Sequence, residues 1–124
     1  MIRPGPYVCA EWDFGGLPAR LLNIPNLKIR TRDPIYLAEV EVYTKSLVPI
    51  LSPYLSSNGG PIVLLQIENE YGSFGNDLEY INALRQQWKD VGIEIEEYHA
   101  DSANNIEKSH WSGANIGVNG AVTE

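Results

Sequence analysis

The spacing of apolar residues changes character several times along the chain. From Tyr36 onward, Val40, Tyr43, Leu47, Ile50 and Tyr54 recur at intervals of 4, 3, 4, 3 and 4, one stripe of an α-helix. Asp33 before Pro34 supplies an N-cap and a fixed φ suited to the first helical position. Pro49 and Pro53 lack an amide hydrogen and are expected to kink or fray the last turns. Ser56-Ser57-Asn58-Gly59-Gly60 reads as a turn, and Pro61 to Ile67 then forms a continuous apolar run of the kind buried on both faces of a sheet. A second helix is predicted from Asn76-Asp77, with Leu78, Ile81, Leu84, Trp88 and Val91 on one face and Gly92 as its stop. Ile93 to Asp101 reads as another strand. Ala114–Val118 reads as a third, within the small-residue stretch Gly113–Gly120.

Residues 1–33 break every period. Pro4, Gly5, Pro6, Gly15, Gly16, Pro18 and Pro25 exclude a regular helix or central strand, yet Tyr7, Trp12 and Phe14 lie among them. This segment reads as an ordered loop with aromatic walls, and Ile2-Arg3 as the last rungs of a strand. Strands alternating with helices of this length predict an α/β fold with a parallel sheet. Such a sheet needs neighbours on both sides, so the chain reads as the central part, residues 1–124, of a larger domain incomplete at both ends.

Composition narrows the function classes. A hydrophobic content of 44% is that of an ordinary globular domain, which argues against a disordered chain. Sixteen acids against nine bases give a net charge of −7 without a basic cluster, so no nucleic-acid partner is expected. No apolar run approaches the roughly 18 residues of a membrane span, and the first residues carry no apolar signal core. A lone cysteine, Cys9, forms no internal disulfide and reads as buried filler. No Gly-rich phosphate loop follows a strand, so no cofactor is expected and a flavodoxin-like domain lacks support.

In parallel α/β folds, chemistry gathers where strands end. Three polar endings qualify: Glu11 in the first loop, Asn69-Glu70, and Asp101-Ser102. A carboxyl group among Trp12, Tyr71 and Phe74 is partly desolvated, and desolvation suits it to donate a proton near neutral pH. Glu70 equally fits a turn cap or a partner for Arg3. Strict alternation sets Glu68 and Glu70 on one side and Asn69 on the other. Asn69 and Glu70 can face one ligand only if the strand loses its regularity there. His99, Asp101 and His110 could be read as metal ligands, but hydrogen bonding at the strand ends is the simpler reading, and no metal is expected. Glu94, Glu96 and Glu97 read as a solvated strand edge, and Trp88 and Trp111 as helix–sheet packing.

Two segments resemble a known family. Arg3-Pro4-Gly5-Pro6-Tyr7-Val8-Cys9-Ala10-Glu11-Trp12, continuing through Gly15-Gly16-Leu17-Pro18-Ala19, resembles the first signature of glycoside hydrolase family 35, the β-galactosidases. Gly60 to Ser73, with Gln66-Ile67-Glu68-Asn69-Glu70-Tyr71-Gly72 inside it, is similar to that family's second signature. Position 20 departs, being Arg where the family commonly carries Trp. The resemblance implies a (β/α)8 TIM barrel, of which this chain would cover the end of strand three through strand six. It implies release of terminal β-linked galactose with retention, Glu70 as acid/base, and Cys9, Ala10, Glu11 and Asn69 as substrate-binding residues. Asn69 would meet the sugar 2-hydroxyl, and Tyr7 and Trp12 would support the pocket wall. The family's nucleophile, a Glu at the end of the seventh strand, has no counterpart here; Glu124 does not match its motif. The chain alone is therefore expected to be inactive, with a non-catalytic galactoside-binding remnant as the alternative. The implied partner is a β-galactoside, with no membrane partner, and family members are often exported.

Overall fold

In the computed structural model of the chain, which describes residues 1–119, the two long helices begin where the capping residues stand. The elements are α1 (Pro34–Leu51), β1 (Leu64–Gln66), the single turn α2 (Tyr71–Phe74), α3 (Leu78–Asp90), β2 (Glu96–Ser102), the short α4 (Ile106–Ser109) and β3 (Asn115–Asn119). The Asp33 carboxylate accepts from the backbone N–H groups of Ile35 at 2.9 Å and Tyr36 at 3.4 Å. Asp77 does the same for Glu79 and Tyr80 at 3.1 and 3.3 Å. Pro49 does not end α1. The helix runs to Leu51 and tightens into a 3-10 turn, Ser52–Tyr54, that takes up Pro53.

The buried face of α1 differs from the predicted stripe. Tyr36, Val40 and Thr44 are buried, while Tyr43, Ile50 and Tyr54 are exposed. Spacing alone fits either face, and packing selects the 36/40/44 row; the Tyr43 hydroxyl instead donates to the Pro4 carbonyl at 2.8 Å. On α3, Ile81, Leu84 and Trp88 are buried as expected, joined by Tyr80, with Leu78 exposed.

The three strands form one parallel sheet in the order β1-β2-β3, with Leu64 opposite Glu96 and Tyr98 opposite Asn115. Ile2 adds a single parallel rung on the other side of β1: its N–H donates to Leu64 at 2.9 Å and its carbonyl accepts from Gln66 at 3.0 Å. The predicted strands start too early. Ile62 pairs with Leu55 outside the sheet, and Val63 is 51% exposed, so the run from Pro61 is not buried on both faces. Ile93 likewise lies in the core ahead of β2. The first loop is not structureless, since 3-10 turns at Asp13–Gly16 and Ala19–Asn23 carry Leu17 and Leu21 into the core.

Between helices and sheet, Tyr36 and Tyr80 bring their hydroxyls within 3.4 Å of each other. Burial pushes the Tyr36 phenol up to about 12, and burial likewise raises Tyr80 well above its ordinary value. A proton held more tightly by the folded chain stabilises it fully below the ordinary value of 10.0, and that contribution disappears as pH rises through about 12. For Tyr36 it amounts to roughly 2–3 kcal/mol. Urea denaturation between pH 8 and pH 12 is expected to show stability falling steeply above pH 10, with a shallower fall in Tyr36→Phe.

Candidate active site

β1 leaves its ladder at the residues that carry the polar signature. Ile67 still donates to the Tyr98 carbonyl at 2.9 Å, and Glu70 to that of Ala100 at 2.9 Å. Between them the chain turns on itself, with Glu68 at φ +61° and Glu70 at φ +47°, both left-handed. Each such residue costs on the order of 1–2 kcal/mol when it carries a side chain. The irregularity frees Asn69 and Glu70 from strict alternation, as a shared ligand would require.

Glu68 anchors this turn. It is buried, and its carboxylate accepts from Arg30 Nε at 3.0 Å, Arg30 Nη2 at 2.7 Å, the Tyr80 hydroxyl at 3.0 Å and the Asn69 backbone N–H at 2.7 Å. Burial pushes the Glu68 carboxyl up, with the bonds and charge of Arg30 opposing it. Burial also works against the Arg30 charge, but Glu68 outweighs it and holds the guanidinium above its ordinary value. The guanidinium lies 3.8 Å from the centre of the Tyr7 ring and 4.3 Å from that of Phe74, a stacked, desolvated cation. It also donates to the Asn69 carbonyl at 2.8 Å, so both backbone groups of Asn69 are fixed by one ion pair.

The Asn69 side chain is oriented as well. Its Oδ1 accepts from Arg3 Nη2 at 2.6 Å and Gln66 Nε2 at 3.0 Å. With its oxygen occupied, Asn69 offers a ligand its amide N–H groups. Arg3 therefore serves Asn69 and not Glu70. Nor does Glu70 cap α2, for its side chain makes no capping bond. The Glu70 carboxylate is half-buried, and its Oε1 accepts from Asn119 Nδ2, at the end of β3, at 2.8 Å.

Behind Glu70, β2 holds the following turn. Asp101 Oδ1 accepts from the Gly72 N–H at 2.8 Å, while Oδ2 is bonded to His99 Nδ1 at 2.9 Å and to the Ser109 hydroxyl. A Cβ at Gly72 would run into the Asn105 carbonyl, so only glycine lets α2 pack this closely. His99 Nε2 lies 3.2 Å from His110 Nδ1, and the His99 ring packs 5.2 Å from Trp111. This is the hydrogen-bonded arrangement, and among the described residues no three His, Cys, Asp or Glu side chains are grouped to hold a metal ion. Glu97 is not a solvated edge residue: it pairs with Arg85 at 2.6 Å, whose guanidinium lies 4.8 Å from the Trp111 ring.

The first loop joins the strand end through Gly5, whose carbonyl accepts from the Glu68 N–H at 3.3 Å, and through Tyr7. Burial, and then the neighbouring Cys9 thiol, raise the Tyr7 hydroxyl above its ordinary value. Cys9 is half-buried, not core filler. Cys9, Ala10 and Glu11 follow one another at φ +59°, +53° and +51°, a left-handed run closed by the Trp12 N–H donating to Cys9 at 3.0 Å. Ala10 and Glu11 are exposed, and among the described residues the Glu11 carboxylate has no hydrogen-bond partner. Trp12 is 72% exposed. Glu124, considered above as a carboxylate, lies outside the described residues.

Arg30 and Asn119, and the anchoring role of Glu68, are not among the features expected from the sequence. Arg30 and Glu68 are 38 positions apart, and no local pattern announces their pairing. Asn119 carries a local signal, a polar side chain at the C-terminal end of β3, as Asn69 and Asp101 are polar residues near the C-terminal ends of β1 and β2.

The comparisons with known proteins agree with the signatures. The profile of Glycosyl hydrolases family 35 matches residues 1–121. The chain is 55% identical over 85 residues to beta-galactosidase 17 of Arabidopsis thaliana, covering 68% of this chain and 12% of that protein. It is 44% identical over 124 residues to the beta-galactosidase of Felis catus, covering 98% of this chain and 18% of that protein. With the human beta-galactosidase the identity is 42% over 106 residues, covering 84% of this chain and 16% of the relative. The chain thus spans less than a fifth of the length of these curated relatives.

Proposed function

The chain belongs to glycosyl hydrolases family 35, and from that premise we propose that it carries the acid/base side of a retaining β-galactosidase site, with Glu70 as the acid/base. The observation that carries this reading is the strand-end turn in which a half-buried Glu70 follows an Asn69 with a committed side-chain oxygen. Protonated Glu70 hands its proton to the glycosidic oxygen as the bond to the anomeric carbon breaks and a second carboxylate takes that carbon. Glu70 then draws a proton from the water that displaces the second carboxylate. Asn69 donates to the sugar 2-hydroxyl, and Cys9, Ala10 and Glu11 line the galactose end, where the unpartnered Glu11 carboxylate is suited to accept from paired hydroxyls.

In this reading the parallel sheet is an arc of a (β/α)8 barrel, and the attacking carboxylate is supplied by a segment beyond these 124 residues. Double displacement needs two carboxyl groups about 5–5.5 Å apart, so the chain by itself is expected to turn over no galactoside. The whole enzyme, given an aryl β-galactoside and followed by proton NMR, is expected to release β-galactose first. Initial release of α-galactose, or turnover by the isolated chain that Glu70→Gln abolishes, would overturn the scheme.

A further inference from the structure

Among the described residues, side-chain hydrogen bonding holds the Glu70 carboxylate through one oxygen. Asn119 Nδ2 donates to Oε1 at 2.8 Å from the end of β3, while the Glu70 backbone N–H is tied to Ala100 on β2 at 2.9 Å. The Glu70 side chain and backbone are thus registered against two adjacent strands, with Ser102 directly opposite Asn119 in their ladder. Resting on the acid/base reading of Glu70, we propose that Asn119 is a positioning residue that fixes which carboxyl oxygen carries the transferable proton.

An amide N–H can only donate, so the oxygen facing it must accept. In the neutral acid the oxygen facing Asn119 is therefore the carbonyl oxygen, and the proton resides on Oε2. As the glycosidic C–O bond breaks, that proton passes from Oε2 to the leaving oxygen, and Glu70 becomes a carboxylate. The Asn119 bond persists through the step and strengthens as its acceptor gains charge. An interaction that is stronger after proton donation than before it makes Glu70 a better acid. The benefit is largest where the leaving group most needs a proton.

The test compares kcat/KM of the whole enzyme on an alkyl β-galactoside and on 2,4-dinitrophenyl β-galactoside, whose leaving group departs without protonation. Asn119→Ala is expected to lower the alkyl value by about 10- to 100-fold, a part of the roughly 10²- to 10⁴-fold that general acid catalysis supplies. The dinitrophenyl value is expected to fall by no more than a few-fold. The alkaline limb of the pH profile for the alkyl substrate is expected to move upward, and to move further in Asn119→Asp, which sets a second negative charge against Glu70. Equal losses on both substrates with the pH limb unmoved would make Asn119 merely structural, and no loss on either would remove it from the reaction. Glu70→Gln, measured in parallel, separates the two readings. If it keeps the full alkyl rate, the acid/base reading falls and this one with it. If it shows the leaving-group split and Asn119→Ala does not, only the role of Asn119 falls.

Discussion

Glu70→Gln is expected to lower kcat/KM for alkyl β-galactosides by about 10²- to 10⁴-fold, the contribution of a positioned general acid. Glutamine matches glutamate in shape and can still meet Asn119 through its side-chain oxygen, so the left-handed turn at the end of β1 has no new reason to rearrange. What the variant lacks is a proton to give. For a dinitrophenyl galactoside, kcat/KM reports a first step that needs no acid and is expected to change far less. Its kcat is expected to fall, because the second step still requires a base to activate water. Steady-state kinetics on the two substrates, with circular dichroism to verify the fold, read both effects. A uniform small loss across leaving groups would remove Glu70 from proton transfer.

The second large effect is on stability. Arg30→Met is expected to destabilise the protein by about 3–5 kcal/mol, the range seen when one member of a buried ion pair is removed and the other is left uncompensated. Among the described residues, Glu68 would keep the Tyr80 hydroxyl and the Asn69 N–H as its donors, in a site with almost no solvent. Deprived of Arg30, its carboxyl takes up a proton more readily. The folded variant then binds more protons than the unfolded chain, so its deficit grows as pH rises and shrinks as pH falls. Replacing both residues, Arg30→Met with Glu68→Leu, is expected to cost less than Arg30→Met alone, because two buried charges leave together. Urea titrations of the single and double variants at pH 5 and pH 8 test this. A double variant as unstable as the single would mean that Arg30 acts through its stacking on Tyr7 and Phe74 and not through its charge.

The sequence made some of this legible and hid the rest for physical reasons. Both long helix starts could be read because a cap is a local device: Asp33 and Asp77 bond N–H groups two and three residues ahead. Strand identity and parallel order followed from alternation with helices. Strand starts did not, because Ile62 and Ile93 are as apolar as ladder residues yet are used outside the ladder. Nor did the buried face of α1, where Thr44 is preferred to Tyr43 by what packs against it. At the candidate site, Asn69 and Glu70 stood out through their place in the motif, and the need for irregular backbone between them followed from period two. The Arg30–Glu68 pair was hidden because each partner, taken alone, reads as a surface charge.

Three of the bonds that define the site have one more property in common, their reach along the chain. Arg3 to Asn69 spans 66 positions, Asn119 to Glu70 spans 49 and Arg30 to Glu68 spans 38, whereas the helix caps span two or three. Each long bond closes a large loop, and loop-closure entropy must be overcome before such a contact stabilises anything. Helical signal can therefore appear while the strand-end turn is still unmade, and ligand-binding geometry arrives only with the last long-range closures. Formation of the Asn69–Glu70 turn then marks completed folding, and recovery of far-ultraviolet dichroism does not.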